Sequence, residues 1–204
     1  MKYITLILIF LSLQAFSATQ NPTELLLKPY KVAVSTSQLC TNLQVVYSES
    51  SPSYVDFLTN PTIGNGQLSD ATYPCIVIEM SSQIKYTPTT SSGSCDNSTE
   101  YILNVCQNAV QSTLIDGTSV TCDGTSDTRV AIYISTGSTW TTGAGDPFLP
   151  PATIGDATRG IQLTSALNVN GTSAAKFVVN GTGKIDDATA SCEMFPPVFG
   201  FVKL

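Results

Sequence analysis

The chain has 204 residues, with 9 Lys or Arg against 15 Asp or Glu and no histidine. That balance, with the basic residues scattered singly, excludes a nucleic-acid partner, because neutralising phosphates takes clustered Lys and Arg. The missing histidine excludes Ser-His-Asp and Cys-His catalysis and histidine metal ligation.

The first residues read as an export signal. Lys2 precedes an apolar run, Ile4 to Phe10, interrupted only by Thr5 and extended by Leu11, Leu13 and Phe16. Ala15-Phe16-Ser17 then places small residues at the spacing a signal peptidase accepts. The expectation is a signal peptide over residues 1–17, cut after Ser17. Cutting after Ala18 and an uncleaved anchor are the competing readings, and the run is short of the roughly 20 residues that span a bilayer. No later segment reads as a spanning helix, so no membrane insertion is expected after cleavage. The protein is expected to be secreted, periplasmic or at the cell surface. The remaining 187 residues, with eight basic and fifteen acidic side chains, suffice for one core.

Residues 18–29 read as an N-terminal leader. Asn21-Pro22-Thr23-Glu24 has the N-cap, N1 and N3 residues of a helix start, which Pro29 would end within two turns. From Tyr30 onward strand patterns take over, and residues 30–204 read as one domain. Tyr30–Ser35 alternates cleanly. Leu43–Tyr47 loses step at Val45-Val46. Tyr54–Leu58 is a third strand. Cys75–Met80 is apolar on both faces except at Glu79, the mark of a covered central strand. Gln83–Thr87 continues it after a kink at Ser81-Ser82. Arg129–Ser135, Gly160–Leu163, Ala166–Val169, Lys176–Val179 and Val198–Val202 complete the series. The predicted core is Val32, Val34, Ile76, Ile78, Ile132, Ile134, Phe177 and Val179.

Asn-Gly and Asp-Gly pairs at 65–66, 116–117, 123–124, 170–171 and 180–181 favour the positive φ of tight turns. Short strands at spacings near ten residues with such turns predict an all-β chain, a single antiparallel β-sandwich with disulfide-linked loops. One stretch dissents. Residues 98–115 admit a short helix, with Leu103, Cys106, Val110 and Leu114 on one face, while Ile102, Val105 and Thr113 favour strand.

Six cysteines, Cys40, Cys75, Cys95, Cys106, Cys122 and Cys192, in an exported chain read as three disulfides. Cys95, Cys106 and Cys122 cannot pair among themselves, so one must reach outward. The preferred scheme has one local bridge in that trio, one link out of it, and one pair within Cys40, Cys75 and Cys192.

For function, the first reading is an exported binding, adhesion or structural module with an unidentified protein or glycan ligand. The alternative is a carboxylate-dependent hydrolase of glycosidase type, which needs two facing carboxyl groups. Glu79 is the candidate acid, because it interrupts an apolar strand, with Asp56 or Glu193 as its partner. No cofactor is expected. Calcium is the one competitor, at Asp116-Gly117-Thr118-Ser119 and its echo Asp123-Gly124-Thr125-Ser126, where ordinary turn chemistry serves equally. Three sequons, Asn97-Ser98-Thr99, Asn170-Gly171-Thr172 and Asn180-Gly181-Thr182, are N-glycosylation acceptors in a glycosylating host; two of them double as turns. The long stretch Ser138–Arg159 lacks strand pattern and holds the only tryptophan. Trp140, Asp146 and Phe148 are its candidate binding residues, with packing over one end of the domain as the alternative.

N-terminal sequencing of the exported protein is expected to begin at Ala18. A chain still starting at Met1 overturns the compartment reading.

Overall fold

The computed structural model describes residues 19–59, 68–106, 111–138, 160–171, 175–188 and 190–203. Its strands are labelled in chain order. A five-stranded sheet runs β13 (Ile161–Gln162), β12 (Arg129–Ser135), β7 (Cys75–Ser81), β3 (Pro29–Ser35) and β4 (Gln44–Ser48). A four-stranded sheet runs β5 (Val55–Asp56), β2 (Pro22–Leu27), β8 (Gln83–Pro88) and β9 (Tyr101–Asn104). A small sheet joins β1 (Thr19–Gln20), β16 (Ile185–Asp186) and β17 (Glu193–Met194). Three pairs remain: β6 (Ala71–Tyr73) with β14 (Leu167–Val169), β10 (Gln111–Thr113) with β11 (Ser119–Thr121), and β15 (Ala175–Asn180) with β18 (Val198–Lys203). Among the described residues the pairings of named strands are antiparallel except β12 with β13, and an isolated Leu163–Phe199 bridge is also parallel. The all-β class therefore holds. The hydrogen bonding divides the described strands among six sheets and does not by itself draw one two-sheet sandwich.

The two larger sheets share strands that bend from one into the other. β2 runs into β3 through Lys28, and β7 runs into β8 through Ser82. β2 pairs with β8 and β3 with β7, so one two-stranded ribbon folds over a corner. Changing sheets by a local bend is how orthogonally related β layers are connected. Backbone bonds hold the bend: Ser81 N–H donates to Lys28 O, Ser82 N–H to Thr128 O, and Val105 N–H to Ser82 O. The kink read at Ser81-Ser82 is this corner.

β7 is buried at all seven positions, and its two faces meet different partners. Ile76, Ile78 and Met80 enter the main core with Val32, Val34, Val130, Ile132 and Ile134. Cys75 and Val77 face a second cluster with Cys40, Leu114, Ala131 and Tyr133. The β10–β11 hairpin supplies Leu114 and covers that face. Seven of the eight predicted core residues are buried, and Phe177 packs partly buried against them.

Two expectations of helix are corrected. Pro22–Leu27 is a strand, because Leu25 and Leu27 alternate into the core while the backbone pairs with β8 and β5. Within 98–115 the described residues form β9 and β10; residues 107–110 lie outside them. Leu103 sits opposite Ile84 in the β8–β9 ladder, so the helical spacing of its apolar neighbours carries no helix. The only helical turn among the described residues is the 3-10 segment Phe57–Thr59.

The disulfides are Cys40–Cys75, Cys95–Cys192 and Cys106–Cys122. This is the preferred scheme: one local bridge, one outward link, one remaining pair. Ile78 is 2% exposed and lies in register between Val32 and Ile132. Ile78→Ala is expected to cost about 2–5 kcal/mol in chemical denaturation. A cost near zero would place this residue outside the core.

Candidate functional site

The apolar face beneath the β10–β11 hairpin contains one full charge. The Glu79 side chain is 0% exposed. A buried carboxylate is tolerated only when paired and hydrogen-bonded, and the neighbouring elements supply this. Lys31, directly opposite on β3, places Nζ 3.8 Å from Oε1. Arg129, on β12, ion-pairs with the same oxygen through Nη2. Oε2 accepts the Ile115 N–H at 3.1 Å, and Asp116 returns to Lys31 at 3.9 Å. The hairpin thus crosses the sheet from Ala131, bonded to Ser112 Oγ, past Glu79 to Lys31. Tyr133 donates to Thr113 O beneath it. Burial, then the Glu79 charge, pushes the Tyr133 phenol pKa up, so it stays a proton donor.

From Arg129 a ladder of cations and tyrosines runs over the corner. The Arg129 guanidinium lies 4.5 Å from the Tyr30 ring centroid. Lys28 Nζ stands between two rings, 5.8 Å from Tyr30 and 6.0 Å from Tyr54. Lys85 Nζ is 4.8 Å from Tyr54. All these separations are within cation–π reach. Tyr54 is fixed from behind, its hydroxyl donating to Gln83 O. Lys85 bonds Glu100 at 2.7 Å, and that hydrogen bond chiefly raises the lysine pKa. The ladder is anchored by a carboxylate at each end, Glu79 and Glu100. Lys28 in the middle has no carboxylate within ion-pair distance among the described residues. Three of the nine Lys and Arg residues gather here, and all the rungs are partly exposed.

The three candidate carboxylates stand on three separate sheets. Glu79 lies in the five-stranded sheet with both oxygens engaged. Asp56 is on β5 of the four-stranded sheet, where Oδ1 accepts the Leu25 and Leu58 N–H groups and starts the 3-10 turn. Glu193 is on β17, exposed and accepting from Ser191. Trp140, Asp146 and Phe148 lie outside the described residues.

The two Asp-Gly segments are turns. Gly117 and Gly124 take φ of 88° and 81°. Asp116 Oδ1 accepts the Thr118 N–H. Asp123 Oδ1 accepts from Thr125 and Ser126, and Oδ2 from the Ser126 hydroxyl. Among the described residues no group of three metal-ligating side chains converges. Sequence reading missed Lys28, Tyr30, Tyr54 and Lys85 as a group. They come from three separate stretches of the chain, Lys28 with Tyr30, Tyr54, and Lys85, and only the corner unites them.

No family model, curated protein or solved structure matches this chain.

The Asp123 carboxyl pKa is lowered from 3.8 to about 2, first by the Ser126 hydroxyl and then by the Ser126 and Thr125 N–H groups. A lowered pKa means the turn's contribution is complete above the ordinary carboxyl range and is lost as pH falls through about 2. Carboxyl-detected NMR titration is expected to place the Asp123 midpoint near 2. A midpoint near 3.8 would show that these bonds do not hold the turn in solution.

Proposed function

We propose that the chain is an exported, non-catalytic binding module whose ligand meets the tyrosine–cation ladder at the sheet corner, and that this ligand is an acidic saccharide. Three disulfides fit an oxidising compartment. Among the described residues no helix is long and apolar enough to cross a membrane. The observation that carries the reading is Lys28: a partly exposed ammonium between two tyrosines, unmatched by a carboxylate, in an otherwise acidic chain. A ligand carboxylate or sulfate would complete its ion pair, and the tyrosines offer flat apolar edges for a sugar ring. The hydrolase alternative has less behind it, since Glu79, Asp56 and Glu193 stand on three separate sheets.

The test is calorimetric titration with uronic-acid or sulfated oligosaccharides and their neutral counterparts. Wild type is expected to bind the acidic members, weakening as salt rises. Lys28→Ala is expected to lose about tenfold in affinity, the scale of one charge-assisted hydrogen bond, with an unchanged circular dichroism spectrum. Equal binding of neutral and acidic oligosaccharides, or full affinity in Lys28→Ala, overturns the proposal. Release of new reducing ends would favour the hydrolase instead.

A further inference from the structure

We propose that Asn97 is an attachment site for an N-linked glycan on the exported protein. This inference stands apart from the ladder and rests on the export reading. Asn97-Ser98-Thr99 is the one sequon whose three residues are all described and all exposed. It lies in the loop between the Ser92–Cys95 bridge and β9. The loop is shaped by other atoms than those the modification needs. Asp96 Oδ1 accepts from Ser98 N–H and Ser98 Oγ, Thr99 N–H donates to Asp96 O, and Asp96 N–H donates to the Tyr101 hydroxyl. Asn97 contributes its backbone N–H, which donates to Ser91 Oγ at 3.1 Å, and its Oδ1, which accepts from the Ser91 hydroxyl at 2.9 Å. Its Nδ2 and the Thr99 hydroxyl make no hydrogen bond among the described residues. These are the two groups a transferase must reach, the first as nucleophile and the second as the recognition element of the sequon.

The other two sequons are built differently. Asn180 ends β15 in register with Val198, and its Oδ1 accepts the Thr182 N–H. Gly181 between them is buried against Pro22 and Leu58, where an added Cβ would come within 2.7 Å of Pro22. That segment cannot be lifted into an extended peptide without opening the β15–β18 pair. Asn170 is exposed in its turn, but Thr172 lies outside the described residues.

The chemistry is a glycosyl transfer from a lipid-pyrophosphate-linked oligosaccharide. Asn97 Nδ2 attacks the anomeric carbon, forming the N–C bond. The bond from that carbon to the pyrophosphate oxygen breaks, and lipid pyrophosphate leaves with the electron pair. The amide proton passes to a base of the transferase. The attached sugar would project beside β9, an edge strand of the four-stranded sheet on which Ile102 is 55% exposed. Exposed strand edges are commonly shielded against pairing with other chains, and a hydrated glycan there would do so.

The experiment is peptide mass mapping of the full chain purified from its own source, before and after peptide-N-glycosidase. The expected result is a hexose- or hexosamine-containing mass on the Asn97 peptide, with Asp left at that position after the enzyme. Asn97→Gln and Thr99→Val are both expected to abolish it, the second with Asn97 still present and the disulfides formed. An unmodified Asn97 on a chain that begins at Ala18 overturns this inference and leaves export standing. An unmodified Asn97 on a chain that begins at Met1 overturns both. A glycan that persists in Thr99→Val shows attachment by another route and overturns the proposal as well.

Discussion

The constraint on which the central sheet depends is the charge of Glu79. The other β7 side chains carry no full charge, but a carboxylate at 0% exposure needs countercharges in fixed places. Lys31 supplies one from the directly opposite position on β3, and Arg129 another from β12. A one-residue slip of either strand would turn that cation to the other face of the sheet. The register of three strands and the seat of the β10–β11 hairpin are thus tied to one residue. Such a cluster is weak evidence for net stability, since packed apolar residues do as well or better. Removing one partner of a buried ion pair, however, typically costs about 3–5 kcal/mol because the other charge is stranded. Its contribution is better understood as specificity of register.

The same hairpin explains the cysteines. Two- and three-residue strands bury little area and do not hold together alone. β10 and β11 have three residues each, and Cys106–Cys122 closes their base across a separation of 16 residues. Cys95–Cys192 ties the loop before β9 to the small β1–β16–β17 sheet across 97 residues. Cys40–Cys75 lies in the cluster beneath the hairpin. Each closed loop contributes about 2–4 kcal/mol by restricting the unfolded chain. Two of the three staples sit at joints between a large sheet and a small unit beside it, while Cys40–Cys75 ties the β3–β4 loop to the buried central strand.

Much of this was legible in the sequence where burial imposes a period. β3, β7, β12, β15 and β18 were read within a residue or two, because their apolar positions alternate or run continuously. Two irregularities also carried information. Val45-Val46 breaks step because Val32 faces Tyr47 and Ala33 faces Val45, leaving Val46 as a bulge. The Ser81-Ser82 break is the corner. What escaped was of two kinds. β1, β16 and β17 have two residues each, too few for any period to show. β2 was hidden by Asn21-Pro22-Thr23-Glu24, which matches a helix start locally while the pairing that overrides it comes from β8, some 60 residues away. Glu79 was conspicuous as an odd charge, but the sequence does not say that both its oxygens are engaged.

The ladder follows from the corner by geometry. Where a ribbon leaves one sheet for another, the side chains on its outer bend fan apart and cannot be packed on both sides. Lys28, Tyr30 and Lys85 lie at or just beside that bend, and Tyr54 covers it from the loop before β5. Tyrosine suits the place because its ring covers the backbone while its hydroxyl reaches a carbonyl at the bend, as Tyr54 does at Gln83 O. Lysine suits it because its stem lies along the ring and its ammonium stays in water. Arg129 finds a carboxylate on the neighbouring strand of its sheet, and Lys85 finds one just before β9. Lys28 belongs to neither sheet: it is the residue between β2 and β3. Its position explains why no strand neighbour carries a carboxylate to meet it, and why the corner presents an uncommitted positive charge at one of the two points where a strand of one sheet runs into the other.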